Sequence, residues 1–512
     1  MSKLHALLGL ILTATILLLA GPADAVFTIA YTGAVEERPA VVFNSVNGEY
    51  LAAWHSNDSV STLLVQRISK TGTLLCSPIS VLVPGIPAIA TGRPALAYSP
   101  VSNSYVIAIN RYYGPNVDDN FLHIGTLDGA SAAQTEAYAL FFDSEFHDPD
   151  LHKVGAVRLS YNPIDEEFLA SYQRTVVVDE ILGTKHNIIS TQRYRVGSGA
   201  YGSEQDAISY GLSYIHSHDV EVGSYILEWF PPADPVFAAR YLIASGSGAG
   251  SGISEIGLAL LDGTGGYHLD IPFTSGVDGS SGYPAIAAGR LSTMSRPYWM
   301  VVWHDTNNLC YSGGHYFVES CSGPEWSGIW GTYVDPWRVS YGPGPDNAVF
   351  PVSKIGSHIQ STTPEISFSE TADRFYVAWR EYPGEGPFND EIRSHIRANA
   401  IDYFVSSEPS PVPYDNYVVS PVTGTCPPAP AGCLSLEDPV YPAVAADDAS
   451  NALVAWEQKY PPNPTDHDVW GNIVTPNEVP EPGGNAMLGA GVVLLIVLSR
   501  RRGAGGKFRK GA

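Results

Sequence analysis

The stretch RPAVVFNSVNGEYLAAW at residues 38–54 is one copy of a repeat that recurs through most of the chain. It predicts a strand, a short polar turn and a second strand, because β-branched and aromatic residues alternate with small or polar ones. Further copies are RPALAYSPVSNSYVIAI (93–109), AVRLSYNPIDEEFLASY (156–172), YPAIAAGRLSTMSRPYWMVVW (283–303), TPEISFSETADRFYVAW (363–379) and YPAVAADDASNALVAW (441–456), with a weaker copy near 220–244. The second strand usually ends in an aromatic residue: Trp54, Tyr172, Trp303, Trp379 or Trp456.

A third strand, and usually a fourth, follows each pair. The last unit ends at its third strand, DVWGNIVT (468–475), while a spare strand, VFTIAYT, lies at 26–32. We therefore predict an all-β fold, a β-propeller of seven four-stranded blades over 26–476, closed by the N-terminal strand. Tandem β-sandwiches are the alternative fold, and six or eight blades remain open because the weak fourth unit can be divided differently.

Composition agrees with many short strands joined by turns. The 512 residues include 50 Gly, 39 Pro and 29 Tyr, and only 16% are charged. The formal net charge of −24 repels the phosphates of nucleic acids, which excludes a nucleic-acid-binding role.

Residues 1–25 have the three regions of a secretory signal peptide. Lys3 precedes an apolar run at 7–20, and Ala23-Asp24-Ala25 supplies the small residues of a cleavage site. In an exported protein, short-loop disulfides are expected between Cys310 and Cys321 and between Cys426 and Cys433, leaving Cys76 unpaired.

The long connections of the predicted propeller emerge on one face, at 111–120, 304–327, 380–394 and 457–468. Tyr and Trp beside carboxylates are typical of surfaces that stack on and hydrogen-bond to sugars. Solvated acidic loops with no ligand are the alternative. The candidate binding residues are Tyr112, Tyr113, Asp118, Asp119, Trp326, Glu381, Tyr382, Asp390, Tyr460 and Asp466.

Two groups of His and Asp lie in predicted connections between blades. They comprise His147, Asp148, Asp150 and His152, followed one unit later by His216, His218 and Asp219. Such residues are able to hold a divalent metal: zinc, copper or manganese with imidazole, and calcium with carboxylates alone. The alternative is that they are ordinary polar turn residues with no metal.

Common enzyme motifs are missing, including Gly-x-Ser-x-Gly, a phosphate-binding loop and His-Glu-x-x-His. Glu381, Glu385, Asp390 and Glu391 are a supply of carboxylates for glycoside chemistry, but their crowding reads equally as an acidic loop. No catalytic residue is assigned.

The chain ends in three parts. A linker at 477–485 carries Pro-Glu-Pro, an apolar segment of 14 residues follows at 486–499, and a basic tail occupies 500–512. We expect a short transmembrane segment, below the usual ~20 residues, with the basic tail in the cytoplasm.

This tail resembles the PEP-CTERM sorting signal of Gram-negative bacteria. The resemblance rests on Val479, Pro480, Glu481 and Pro482, the apolar segment, and Arg500, Arg501 and Arg502. It implies a transient hold in the inner membrane, cleavage by an exosortase-type protease, and release to the cell surface or extracellular matrix. The last unit, PAVAADDASNALVAW with DVWGNIV, also resembles a group of bacterial surface repeats, a resemblance that implies no chemistry.

These observations favour an exported binding or matrix protein whose partner is extracellular polysaccharide or another surface component. The alternatives are a secreted glycan hydrolase or lyase on the same scaffold, and a purely structural matrix protein.

Overall fold

The computed structural model describes residues 26–31, 34–57, 61–81, 89–90, 93–112, 120–142, 157–163, 165–179, 184–209, 214–222, 239–248, 254–272, 281–290, 297–305, 309–312, 315–318, 328–334, 350–353, 359–383, 394–402, 417–418, 439–460 and 463–475. The chain divides into two compact units, Met1–Val474 and Thr475–Ala512, and every described strand belongs to the first. Regular structure in the described residues is entirely β, which confirms the all-β prediction.

Five separate sheets of four or five strands form blades of a propeller arrangement. The first contains β6 (Ile89–Ala90), β7 (Ala95–Ser99), β8 (Ser104–Tyr112), β9 (Asn120–Asp128) and β10 (Gln134–Phe142). The second contains β11 (Arg158–Asn162), β12 (Glu167–Asp179), β13 (Thr184–Arg195) and β14 (Gly199–Ser209). The third contains β15 (Tyr214–Val222), β16 (Ala239–Gly248), β17 (Ser254–Asp262) and β18 (Tyr267–Pro272).

The fourth sheet contains β19 (Ser281–Arg290), β20 (Pro297–Asp305), β23 (Gly328–Val334) and β24 (Phe350–Pro351), and between β20 and β23 the hairpin β21 (Leu309–Ser312) and β22 (His315–Val318) forms its own two-stranded sheet. The fifth contains β25 (Ile359–Ser369), β26 (Arg374–Pro383), β27 (His395–Asp402) and β28 (Tyr417–Val418). Neighbouring strands within these blades are antiparallel.

The remaining strands form one eight-stranded sheet. It contains β1 (Phe27–Ala30), β2 (Val35–Asn44), β3 (Glu49–Asn57), β4 (Ser61–Ser69), β5 (Ile79–Val81), β29 (Pro439–Ala446), β30 (Ala452–Tyr460) and β31 (Asn463–Val474). Its two halves, β29–β31 and β2–β5, are connected where β2 meets β31 in a parallel pairing of Val35 with His467. Seven separate blades are therefore not confirmed, since this pairing joins the strands of the first and last predicted units.

The N-terminal strand pairs with the last described strand, as the sequence predicted. β1 runs antiparallel to β31, with Phe27 opposite Gly471 and Thr28 opposite Trp470. This pairing covers an edge of β31 that would otherwise expose unpaired backbone groups.

Buried apolar side chains pack between neighbouring sheets. The aromatic residues expected at the ends of the second strands belong to this core, although β3, β12, β20, β26 and β30 all continue past them. Trp54, Tyr172, Trp303, Trp379 and Trp456 are all 0–1% exposed. Successive side chains of a strand point to opposite faces of its sheet, so each blade packs against the sheets on both sides. On β20, Trp299, Val301 and Trp303 pack against the preceding sheet, while Met300 and Val302 pack against the following one.

An aromatic pair joins the first and second strands in four of the repeats. The centroids lie 5.2 Å apart for Phe43–Tyr50 and Tyr98–Tyr105, 5.0 Å for Tyr161–Phe168 and 4.7 Å for Phe368–Phe375. The tilted rings add contact energy to the cross-strand pairing next to each polar turn.

The predicted C-terminal transmembrane segment lies outside the described residues. No helix long and apolar enough to span a membrane occurs in the part of the chain that the structure describes.

Candidate functional site: the central channel

Strands β2, β7, β11, β15, β19, β25 and β29 surround a central cavity of about 370 Å³. This volume lies in the range of small-ligand pockets. Most of the lining is backbone and small or apolar side chains, but Arg93, Arg158, Asp219 and Glu365 also reach the cavity. Their side chains are 14–18% exposed, so these charged groups lie within the ring and still meet solvent.

Glu365 is the centre of this charged group. Its Oε1 accepts from Nη1 of Arg93 and, at 3.2 Å, from Nη2 of Arg158. Arg158 Nε also lies 3.6 Å from Oδ1 of Asp219. Arg158, Asp219 and Glu365 lie on three different sheets, and Arg93 lies two residues before β7 of a fourth. We call these four side chains the channel network.

Backbone groups tie the channel network to the other lining strands. Arg93 donates from Nε to the carbonyl of Pro39 at 2.7 Å and from Nη2 to that of Pro442 at 2.9 Å. On the opposite side, Asp219 accepts from the amide nitrogen of Ile286 at 2.9 Å. Each lining strand except β7 thus belongs to the channel network or hydrogen-bonds to it, and β7 is represented by Arg93, two residues before it.

The protonation of these groups follows from burial opposed by neighbouring charge. Burial by itself raises the pKa of Glu365, but Arg158 and Arg93 outweigh it and hold that pKa below its ordinary value. Burial raises the pKa of Asp219 to about 6, with Arg158 acting in the opposite direction. Burial, aided by Arg158, lowers the pKa of the adjacent His218 to about 3, so its imidazole is neutral at pH 7.

A strained backbone position recurs two or three residues before the residues that line the cavity, and we call these the rim positions. The residue before the first-strand proline has a positive φ in four repeats: 57° at Arg38, 52° at Tyr283, 49° at Thr363 and 50° at Tyr441. Each lies at a β-bulge. Such conformations cost about 1–3 kcal/mol each and concentrate at functional sites.

Two of these rim positions expose aromatic rings. Tyr283 is 46% exposed and Tyr441 is 40% exposed. They occupy the same repeat position as Arg93, before the proline of the first strand. First strands begin on the face where the long connections emerge, so these tyrosines belong to the predicted binding face.

The predicted binding residues divide into three groups. Glu381 lies on β26, is 5% exposed, and accepts from Arg397 Nε at 2.9 Å, which makes it a buried ion-pair partner. Tyr112, Tyr382, Tyr460 and Asp466 lie on β8, β26, β30 and β31, and only the backbone of these four residues is described. Tyr113, Asp118, Asp119, Trp326 and Asp390 lie outside the described residues.

The predicted loop at 216–219 is wrong, because these residues form part of β15. His218 is fully buried, with Nε2 3.0 Å from Ser171 Oγ, and Asp219 belongs to the channel network. Only the backbone of His216 is described, and His147, Asp148, Asp150 and His152 lie outside the described residues.

Cys76 is a free, half-buried cysteine, as predicted. Cys310 lies on β21, whereas Cys321, Cys426 and Cys433 lie outside the described residues, so both disulfides stay predictions. The residues of the sorting signal also lie outside them.

Sequence reasoning missed the channel network, although the repeats contain its signal. Aligned on their first strands, the copies place Ala40, Ala95, Ala285 and Ala443 at one position. Arg158 and Glu365 replace that alanine in two copies. The first strands surround the central axis, so opposite charges at this repeat position, which is otherwise alanine, are expected to meet across a closed ring.

A second group of polar residues lies where β2 meets the last strands of the chain. Glu37 on β2, Glu457 on β30 and His467 on β31 place one ligand atom each within 4.8 Å of one another. His467 Nδ1 lies 3.0 Å from Glu457 Oε1. We call this group the seam cluster.

No family model and no curated protein matches the chain. Among solved structures, a protein of unknown function from Dyadobacter fermentans is 11% identical over 88% of this chain and 98% of its own, with a TM-score of 0.44. Polysaccharide lyase Uly1 is 9% identical over 88% of this chain and 92% of its own, with a TM-score of 0.42. The Hadza microbial sialidase Hz136 is 11% identical over 69% and 65%, with a TM-score of 0.40. Likeness at these levels carries no argument about activity, and the family of this chain is not assigned.

Proposed function

We propose that this is an exported surface or matrix protein that binds neutral extracellular polysaccharide at the mouth of its central channel. The observation that carries the proposal is the combination of a 370 Å³ cavity, charged groups within it, and exposed Tyr283 and Tyr441 at equivalent rim positions. Tyrosine faces stack on sugar rings, and guanidinium and carboxylate groups hydrogen-bond to hydroxyls.

The charge of the chain argues for a neutral polymer. A formal net charge of −24 repels polyanions such as uronate-rich or sulfated glycans. Arg93 and Arg158 are engaged with Glu365, so they do not offset that repulsion for an incoming anion.

Binding measurements with exposed tyrosines test this proposal. Tyr283→Ala is expected to weaken polysaccharide binding about tenfold, because an aromatic contact contributes about 0.5–1.5 kcal/mol beyond its area and 1.4 kcal/mol is tenfold. A panel of neutral and acidic polysaccharides, measured by titration or on a glycan array with the full chain, gives the readout. Tyr267→Ala is the matched control, because Tyr267 is also 50% exposed but lies on β18, an outer strand.

The outcomes separate the candidate functions. An equal loss of polysaccharide affinity in both variants, or no loss in Tyr283→Ala, would contradict a binding site at the rim. If no polysaccharide binds at all, the chain is a purely structural matrix protein.

A secreted glycan hydrolase or lyase is the second candidate. One specific observation favours it: Asp219 and Glu365 both contact Arg158, yet their pKa values shift in opposite directions. Burial raises the pKa of Asp219 to about 6. Arg158 and Arg93 lower the pKa of Glu365 despite its burial. Such separation is the pattern of an acid and its partner carboxylate. Release of reducing ends or unsaturated sugars in the binding samples would establish this function instead. Glu381 is a poor candidate for the acid, because it is held by Arg397.

Sorting by the C-terminal signal is part of the proposal and rests on the tail residues. We expect substitution of Pro480, Glu481 and Pro482 by alanine to leave the protein in the membrane fraction of a host with an exosortase-type protease. Pro476→Ala, just outside the motif, is the control. Release of the triple variant at the rate of the control would contradict this assignment.

We also propose that the eight-stranded sheet acts as two blades, giving seven in all. A buried cluster supports this division: Tyr50, Ala52 and Trp54 of β3 pack against Leu453 and Ala455 of β30. The two halves therefore pack face to face, like neighbouring blades, besides meeting edge to edge at Val35 and His467.

A further inference from the structure

We infer that the seam cluster, Glu37, Glu457 and His467, is a binding site for a divalent transition-metal ion, with zinc the best chemical fit. These residues were not among the metal ligands expected from the sequence. The ion would connect strands from the two ends of the chain where the ring closes.

The geometry of the seam cluster suits a small ion. Its three ligand atoms lie within 4.8 Å of one another, and Nδ1 of His467 is 3.0 Å from Oε1 of Glu457. Ligand atoms at ~2.0–2.1 Å from a tetrahedral zinc ion lie about 3.3 Å apart, so small side-chain movements suffice. Three protein ligands would leave a fourth position for water.

The ligands are held in place by other residues. Glu457 is 1% exposed and accepts from the backbone nitrogen of Arg38 at 3.0 Å through its other oxygen, Oε2. Asn57 Nδ2 donates to Oε1 of Glu37. Hydrogen bonds of this kind orient metal ligands and raise their affinity.

Electrostatics favours a cation at this point. Glu37 and Glu457 bring two carboxylates together, and Glu457 is almost fully buried. Arg38 Nε, 3.8 Å from Glu37 Oε2, offsets part of this negative charge, and the repulsion that remains between the carboxylates is relieved when a proton or a cation lies between them. The imidazole selects zinc or a similar transition metal over calcium and magnesium, which prefer oxygen ligands alone.

The location gives the ion a structural role. Val35, two residues before Glu37, pairs with His467 in the parallel contact between β2 and β31. A metal bound by both strands would hold the ends of the ring together and stabilise the folded state, because an ion that binds only the folded chain shifts the unfolding equilibrium.

Zinc titration of the full chain, stripped of metal, tests this inference. We expect zinc to raise the thermal unfolding temperature of the wild-type protein, whereas magnesium and calcium do not. Glu37→Gln and His467→Gln are expected to weaken zinc binding by more than about 100-fold, since losing even a residue that orients a ligand costs about 10- to 100-fold. Metal content after dialysis, by mass spectrometry, should fall by one zinc per chain in both variants.

The control variant is Glu370→Gln, which removes an exposed carboxylate outside the seam cluster. It should bind zinc like the wild type. Unchanged binding in both seam variants would place any bound zinc elsewhere and overturn the inference. Failure of zinc to bind or stabilise the wild-type chain would overturn it as well.

Discussion

Glu365→Gln is expected to lower the free energy of unfolding by about 3 kcal/mol. Removing one partner of a buried ion pair leaves the other charges unpaired, which typically costs about 3–5 kcal/mol. We expect the lower end of this range because the Glu365 side chain is 17% exposed and solvent screens part of the loss. Two guanidinium groups, of Arg93 and Arg158, lose their shared acceptor at once. Urea unfolding at pH 7 followed by tryptophan fluorescence measures the change.

The control is Glu370→Gln, in the turn directly after β25. Glu370 is exposed, so its substitution should change the free energy of unfolding by no more than about 0.5 kcal/mol. Equal stability of the two variants would mean that the channel network contributes nothing to holding the ring.

The pH dependence of the same variants gives a second readout. Because Arg158 and Arg93 overcome burial and lower the folded pKa of Glu365, its stabilising contribution is present above the unfolded pKa of ~4.3 and is lost as the pH falls through the folded value. Asp219 acts in the opposite sense: burial raises its pKa to about 6, so its contribution is present below ~3.9 and lost as the pH rises through 6. Glu365→Gln should therefore flatten the acid limb below pH ~4, and it should also reduce the change between pH ~4 and 6, because the charge of Glu365 helps to raise the pKa of Asp219.

Trp456→Ala is expected to cost about 3–5 kcal/mol, the usual range for removing a large buried aromatic side chain. Trp456 is 0% exposed and packs with Val454 against Ala398 of the neighbouring sheet. Its indole nitrogen donates to Gln458 Oε1 at 3.2 Å, so the substitution also removes a buried hydrogen bond. The urea midpoint should fall with little change in slope.

Two further variants test whether the Trp456 effect arises from packing. Trp456→Phe should cost less than Trp456→Ala because it leaves a smaller cavity. Tyr31→Ala removes an aromatic side chain that is 60% exposed and should change stability little. If Trp456→Ala were no more costly than Tyr31→Ala, the core position of the repeat tryptophan would be contradicted.

The repeat itself was enough to predict strands, turns and the identity of core residues. Trp54, Trp303, Trp379 and Trp456 follow apolar runs in the repeat, and all of them are buried. The alternation that reveals these strands is local, within about ten residues, so it can be read without knowing the fold.

The weak fourth unit shows where the local sequence pattern failed to predict the structure. Polar residues at 216–219 indicated a connection, but they lie within β15. The carboxylate of Asp219 is satisfied across the channel, where it meets Arg158 and the amide of Ile286, so a strand can carry it at little cost. Only a closed ring supplies those partners.

The sequence by itself determined that the chain is built from repeated antiparallel strands and that its first strand pairs with its last, since both follow from periodicity and from counting strands. Only the tertiary structure decided which charged residues meet. Arg93 and Glu365 are separated by 272 positions, and Arg38 and Glu457 by 419, yet each pair is in hydrogen-bond contact. Closing the ring brings distant first strands around one axis and the two chain ends to one seam, and no local pattern records which side chains will face each other there.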